Sequence, residues 1–549
     1  MLSPRLYPFL ALLAVYLVGA FAVDVMDIDA AQYANISREM ADNNNFLQVQ
    51  YRHENYYLDK PPLLFWLSAL AFKVFGATNF AYRFFPVLST LLGIYAVHRF
   101  TKLYYSEQTA YIAALVMGSC QAFFLMNHDV RCDTLLTNCV MVATWQIADF
   151  RLHNRWKNGL IGAVFVGLAM LAKGPIALIV VGAGFFVDFV LKREWKQIFR
   201  WEWLVAALVV GLVLLPYCVG LRQQYGNEGL YFFFWKQSFG RITGESEWAN
   251  SPGLQFQAQN FLWSFLPWVL VFGPTLWQAV SQLIKQRFKL ATNQEAISLA
   301  GFVLPFAALS TAQYQLPHYT FVVFPFAAVI TARYLSQLID NQNNKSIKWP
   351  RMALIVTAVI MALLIVGLCI WAFPLKNSWL ALTLLFVALL AFRLFGQARP
   401  PFSQLVFAPF LCGLGANLAL NAHVYPTLLT YQTGSQLGHY LAKSDIDLNR
   451  FYLYDTNPPE NFYLFFDALD FYTSRSTTVI NSAENLPQKA DYWVYTDQKG
   501  LASLANSNLK IDTLRQYDKF HVTGLTLSFL NPATRLAETQ KVFLVKISR

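Results

Sequence analysis

Three carboxylates fall within six residues near the start of the chain: Asp24, Asp27 and Asp29. Acids at this spacing either cap a helix at a water interface, or include one that positions or deprotonates an acceptor. A lysine follows in Asp59-Lys60-Pro61-Pro62. It is either half of a surface pair with Asp59 or a cation available to a phosphate. A second group gathers further on, with Asp129, Arg131 and Asp133 close in sequence and Lys173 in Ala172-Lys173-Gly174-Pro175. The polar turn Gln313-Tyr314-Gln315-Leu316-Pro317-His318-Tyr319 adds aromatic and imidazole groups. Lys is a compact point charge and Arg a planar fork of donors, and both suit phosphate oxygens. Acids and cations together point to chemistry on a phosphorylated substrate.

The elements that must position these residues are mostly apolar. Of 549 residues, 56% are hydrophobic and only 13% charged, about half the charge of an ordinary soluble chain, and mean hydropathy is +0.37. That excludes a disordered chain, a disulfide scaffold and a simple cytosolic enzyme. Thirteen stretches are long and apolar enough, or nearly so, to span a membrane: 5–23, 82–103, 109–126, 131–150, 157–172, 174–191, 202–220, 260–283, 295–312, 316–338, 351–374, 378–397 and 402–421. With the N-terminus inside, cations collect in inside loops, at Arg151, Arg155 and Lys157, at Lys192, Arg193, Lys196 and Arg200, and at Lys285, Arg287 and Lys289. The short outside loops carry only Lys173 and Lys376, while the longer outside loops 24–81 and 221–259 hold a few cations each. This asymmetry supports the count and puts the C-terminus outside. The net charge of +11 thus reads as membrane orientation, and no nucleic-acid partner is expected.

The predicted fold is an α-helical polytopic membrane protein with about 13 transmembrane helices and a C-terminal α/β extracytoplasmic domain. Residues 1–425 form the membrane part and 435–549 the outer domain. Phe451–Tyr454, Tyr492–Tyr495 and Val542–Val545 read as short strands, and Leu437–Leu441 as helix. In the first outer loop, 31–40 reads as an amphipathic helix capped by acid. A second helix runs from Asp59 to about Phe75 with Pro in its first turn. Both are expected to lie along the membrane surface. Ala20-Phe21-Ala22 offers a signal-peptidase alternative for the first span, which would leave downstream sidedness unchanged. The six cysteines, Cys120, Cys132, Cys139, Cys218, Cys369 and Cys412, show no CxxC spacing and read as small buried hydrophobes. Ionisable groups at membrane depth are costly and mark function by default, and here they share the outer face.

The ordered motifs resemble a known family: an acidic first loop followed by Tyr33-Ala34-Asn35-Ile36-Ser37-Arg38-Glu39-Met40, then Asp59-Lys60-Pro61, Arg131-Cys132-Asp133-Thr134-Leu135-Leu136-Thr137, Ala172-Lys173-Gly174-Pro175 and Leu316-Pro317-His318-Tyr319. Together they look like the bacterial lipid-linked aminoarabinose transferases and the wider protein O-mannosyltransferase-like group of C-type glycosyltransferases, over about residues 20–340. The resemblance implies a sugar donor linked to undecaprenyl or another polyprenyl phosphate, inversion at the anomeric carbon, and an active site on the outer face of the inner (plasma) membrane. The acceptor it implies is lipid A, an envelope glycan or protein. It implies Asp29 and Asp133 as catalytic acids, Lys60 as the holder of the donor phosphate, Tyr319 near the lipid phosphate and Arg241 as an outer-loop arginine; Arg131 and Lys173 are candidates for a second cation on that phosphate. Tyr33 and Asp59 then contact substrate. The chain departs from the pattern at Ala30, where a second acid is usual, at Gln32, where a basic residue is usual, and at Gln255, Gln257 and Gln259, in place of histidines. No cofactor is expected, and no bound metal. A transporter or flippase for a lipid-linked sugar is the alternative. It would want charged or broken sites near the bilayer midplane, where Asp188 is the main candidate.

Overall fold

The computed structural model describes residues 4–52, 57–237, 240, 250, 252–341, 344–396, 401–456, 466–487, 491–506 and 509–548. Helix α1 (Tyr7–Ala22) leads to the first outer loop, which holds α2 (Asp29–Asn43) and α3 (Leu63–Phe75). Helix α4 (Asn79–Tyr104) begins behind Thr78, whose hydroxyl accepts from the Ala81 amide and so satisfies one of the helix's free N–H groups. Then come α5 (Glu107–Ser119), α6 (Gln121–His128), α7 (Cys132–His153), α8 (Trp156–Lys173) and α9 (Ile176–Lys192). Each of the thirteen apolar stretches is wholly or largely helical. Among the described residues, seven helices are long and apolar enough to cross a membrane, and the bent pair α5–α6 makes an eighth. The remaining stretches are shorter, more polar or broken, as at 260–283, where Phe256–Ser264 and Val269–Lys285 are separate helices. The predicted outside loop 221–259 starts late. Its first residues continue the helix Glu202–Tyr231, which breaks at Gly226, where φ is +62°. Glycine occupies that left-handed region without the Cβ penalty.

Three expectations for the first outer loop need correction. Helix α3 starts at Leu63 rather than Asp59, with Pro62 as its N-cap, so Asp59 and Lys60 stand in the turn before it. The rigid Pro61-Pro62 pair holds that turn, since proline fixes φ and disfavours helix at the residue before it. Helix α2 does not lie open on a membrane surface. Ala30, Ala31 and every residue from Tyr33 to Ala41 are buried, because α3 packs on one side and helix Asp467–Thr473 of the C-terminal region on the other. Nor is α2 capped by an acid side chain. Asp29 is its first residue, where the helix dipole favours a negative charge.

The C-terminal region is a five-stranded sheet in the order β2-β1-β3-β5-β4. β1 (Phe451–Tyr454) pairs in parallel with β2 (Thr478–Ile480) and β3 (Tyr492–Asp497), while β5 (Gln540–Ser548) is antiparallel to β3 and to β4 (Lys510–Lys519). Alternation along the strands gives the sheet two apolar faces. Phe451, Leu453 and Leu544 pack with Leu437, Leu441 and Leu469 on one face. Tyr454, Val494, Val545 and Ile547 pack with Leu504 on the other. This region and the first outer loop touch throughout α2, so both lie on one face of the membrane part. Helix α1, before the loop, is long and apolar enough to cross a membrane together with the turn Pro4–Leu6.

Candidate active site

The sequence brings Asp29 and Arg131 together only through the fold, 102 residues apart. The Arg131 guanidinium donates to Asp29 through one terminal nitrogen and, through Nε, to Asp129 Oδ2 at 2.9 Å. Asp29 keeps 37% of its side chain exposed, so the pair opens to solvent. One turn on, Tyr33 is buried with its ring edge-on to Phe65 at 5.8 Å. Tyr57 packs on the same Phe65 at 5.9 Å and lies within electrostatic reach of Asp59, Cys132 and Asp29. Burial first, then Tyr57 and Asp29 at Tyr33 and Asp59 at Tyr57, push both phenols well above their usual range, so both are neutral hydrogen-bonding groups.

Asp133 sits in the first turn of α7, again at a dipole-favoured end. Lys173, the last residue of α8, reaches its Oδ1 at 2.5 Å, and His318 Nε2 lies 3.7 Å from its Oδ2. The Lys173 ammonium also stands 4.0 Å from the centre of the Tyr319 ring, an arrangement favoured by the ring's negative face. Cys132 joins this group to the first one, since its sulfur feels the charges of Lys60, Asp133, Lys173 and Asp29 together. Lys60 is half-buried and makes no ion pair among the described residues, with Asp59 or with any other acid. The Asp59 carbonyl accepts from Gln237 Nε2 at 2.7 Å, which ties the Lys60 turn to the later outer loop. Arg241 lies outside the described residues.

The other two acids of the opening triplet do different work. The Asp24 carboxylate meets His439 Nε2 at 3.0 Å and Asn79 at 3.3 Å. Burial pushes Asp24 up, yet these partners more than offset it and leave it below the usual range. Asp27 is buried, with its amide donating to Gln432 Oε1 at 2.8 Å and its carboxyl accepting from the Ala468 amide at 3.1 Å. Burial, with Asp467 nearby, pushes Asp27 up to about 8. Gln432 also donates to the Val25 carbonyl, and the Tyr472 hydroxyl accepts from the Val25 amide, both at 2.8 Å. The backbone leading into Asp29 is therefore held by the C-terminal region. Arg38, in the same helix as Tyr33, points to that region as well and donates to the Asp470 carbonyl at 2.5 Å.

Sequence reasoning gave no role to His318, Tyr57 or the glutamines. Gln257, in the neighbourhood where the family often has histidines, is buried and donates to the Leu316 carbonyl at 3.1 Å, so it steadies the turn that carries Tyr319. Among the described residues no three His, Cys, Asp or Glu side chains converge as metal ligands. Asp188 is not a midplane charge. It sits near the end of α9 opposite the site and pairs with Arg151 and Lys192.

With this geometry established, the comparisons fit it. The family described as dolichyl-phosphate-mannose-protein mannosyltransferase matches residues 59–219, which include Lys60, Arg131, Asp133 and Lys173. An undecaprenyl phosphate-alpha-4-amino-4-deoxy-L-arabinose arabinosyl transferase of Proteus mirabilis is 24% identical over 56% of this chain and 54% of its own length. One of Enterobacter is 23% identical over 78% of this chain and 77% of its own. The alignments thus span about half to three quarters of these curated relatives. The crystal structure of ArnT from Cupriavidus metallidurans bound to undecaprenyl phosphate superposes with a TM-score of 0.75 at 17% identity, covering 98% of this chain and 97% of that one. The apo form of that protein gives 0.73. The fold is that of this class of membrane glycosyltransferases. The resemblance to aminoarabinose transferases and the mannosyltransferase group, drawn from the motifs, is borne out.

Proposed function

We propose that this protein is an integral-membrane glycosyltransferase that moves a sugar from a polyprenyl phosphate, undecaprenyl phosphate in particular, to an acceptor such as lipid A, with another envelope glycan or a protein as alternatives. The relatives named for an undecaprenyl-phosphate-linked donor support the donor class. The observation that carries the reading is that an open carboxylate, Asp29, and a cation with no ion pair among the described residues, Lys60, both lie within electrostatic reach of Cys132. Lys60 takes the donor phosphate, with Arg131, Lys173 and Arg241 as further cations and Tyr319 beside the lipid phosphate. Asp29 takes a proton from a hydroxyl acceptor or, facing a phosphate acceptor, steadies the positive charge that develops on the sugar. Attack from the face opposite the leaving phosphate inverts the anomeric carbon. Asp133, held by Lys173 and His318, is the second acid, and Tyr33 and Asp59 line the substrate space. The chain crosses the inner membrane thirteen times, with the site and C-terminus outside, a reading supported by the cation asymmetry.

The test is to incubate the purified protein with undecaprenyl-phosphate-linked aminoarabinose and lipid A, and to follow both lipids by mass spectrometry. Free undecaprenyl phosphate together with a mass gain of one sugar on lipid A is expected. A donor left intact in the presence of lipid A, envelope glycans and envelope proteins would sink the reading.

A further inference from the structure

Where the first outer loop meets the C-terminal region, the chain leaves a cavity of about 170 Å³. Asp27 and Thr433 line one side, and the stretch Lys519–Thr523 at the end of β4 lines the other. A single water needs roughly 10–15 Å³ by the same measure, so this space is many times what one water requires and admits one sugar ring. None of the residues of the transfer site lines it.

The lining is chemically unfinished. The Lys519 ammonium is buried with no hydrogen-bond partner among the described residues. Asp27, Asp455 and Asp497 act on it electrostatically, yet none closes an ion pair with it. A buried charge without a direct partner is costly, which calls for a bridging group in the space between. One oxygen of the Asp27 carboxyl accepts from the Ala468 amide, and the same residue lines the cavity.

The charge balance selects the class of that group. Burial holds Asp27 up at about 8 and Lys519 down at about 8, so at neutral pH the carboxyl is protonated and the amine charged. His521 is pulled below its usual value by burial and by Lys519, and is neutral there. Glu538, exposed on the rim, is the acid of the lining that stays charged. A lining with no net charge favours neither an oxyanion nor a metal ion. It offers donors and acceptors side by side, with Phe520 and Val522 as an apolar wall. Hydroxyl groups satisfy both kinds of partner at once, and a sugar ring adds an apolar face of C–H groups.

We propose that this cavity is a saccharide-binding site separate from the transfer site, in which Lys519 and Asp27 hold neighbouring hydroxyls of one ring against Phe520. The choice of a sugar rests in part on the glycosyltransferase reading, because an enzyme of that class meets sugars on this face. Ring occupancy bridges the segment that leads into Asp29 to the C-terminal region.

The test is saturation-transfer NMR on the full-length protein in nanodiscs with glucose, glucosamine and N-acetylglucosamine. Wild type is expected to transfer saturation to at least one of them. Lys519→Met should weaken the signal at least five-fold, and replacing a buried charge by an apolar isostere is not expected to unfold the protein. Thr523→Phe, which fills the cavity from its exposed side, should do the same by a route independent of charge. Asp29→Asn and Lys60→Met, which alter the transfer site, should leave the signal intact. No signal from wild type, a signal that survives both cavity variants, or a signal lost in Lys60→Met would overturn the proposal. A protein that binds sugar at the seam but transfers none would leave this inference standing and remove the glycosyltransferase reading.

Discussion

Helix α7 carries a charge cluster at each end, and the two are built differently. At its far end Arg151 pairs with Asp188 and, at 2.7 Å, with Glu194. Lys192 reaches Asp188 at 3.1 Å, and the Ala296 amide donates to it at 2.8 Å. Asp188 and Lys192 have 0% side-chain exposure, and each charge there has an opposite partner. At the near end, Asp29 and Arg131 are partly open and Lys60 has no acid partner among the described residues. A closed network of this kind ties helices together, and a substrate could enter only by breaking it. An open one has valences left for a ligand. Both ends are equally rich in ionisable residues in sequence, so counting charges cannot separate a clamp from a site, whereas exposure and pairing do.

The largest effect that tests the contrast belongs to the closed end. Asp188→Ala leaves Arg151 and Lys192 buried without their carboxylate and should cost about 3–5 kcal/mol of stability. Thermal melting of the purified protein should show the loss, while the folded fraction keeps its affinity for donor. A variant as stable as wild type would mean that the far cluster is not a clamp. At the open end, Asp133→Asn should lower transfer by roughly 10- to 100-fold, since it loosens the ion pair with Lys173 and takes a charge from the site. If transfer holds steady while melting falls, Asp133 belongs with the clamp residues instead.

Lys60→Ala should weaken donor binding several-fold with little change in melting temperature, because no ion pair among the described residues is lost. Titration with undecaprenyl phosphate reads this directly, and unchanged affinity would return Lys60 to the surface. The smallest effect is a pH trend at the seam. Asp27 at about 8 and Asp470 at about 6 are both raised by burial above an unfolded value near 4, so the folded state holds protons that the unfolded chain has lost. Their contribution is complete below about pH 4 and is lost as pH rises through 6 and then 8. Lys519, lowered to about 8, acts in the opposite direction, and stability returns from 8 towards 10.5. Hydrogen-exchange protection of residues 25–41 should therefore be lowest near pH 8. Asp27→Asn should abolish the decline between 6 and 8, and a flat profile in wild type would contradict the assignment.

Much of the candidate site was legible because its motifs are local. Asp59-Lys60-Pro61 and Arg131-Cys132-Asp133 each name their own chemistry. Spacing alone did not choose among Asp24, Asp27 and Asp29; the resemblance pointed to Asp29, while the difference in their surroundings was not legible. It depends on His439, Gln432 and Ala468, which come to the loop from more than 400 residues away. For the same reason α2 reads as amphipathic and surface-bound while both of its sides are covered. Arg38 was grouped with Tyr33 by proximity in sequence, but five residues turn a helix to a different side. In the C-terminal region the buried strands β1, β3 and β5 show apolar alternation. Edge strand β4 is polar and mostly exposed, so its sequence carries no such signal. That this region grips the backbone entering Asp29 carries no signal in the sequence either.

The central claim is that the open cluster performs sugar transfer and that Asp29 is its reacting acid. The most direct measurement compares wild type and Asp29→Asn in one preparation, recording the rate of sugar transfer from the undecaprenyl-phosphate-linked donor and the affinity for that donor. The account predicts a rate loss on the order of 100-fold or more, with donor affinity and melting temperature within about two-fold and a few degrees of wild type. Transfer by Asp29→Asn at close to the wild-type rate would contradict it.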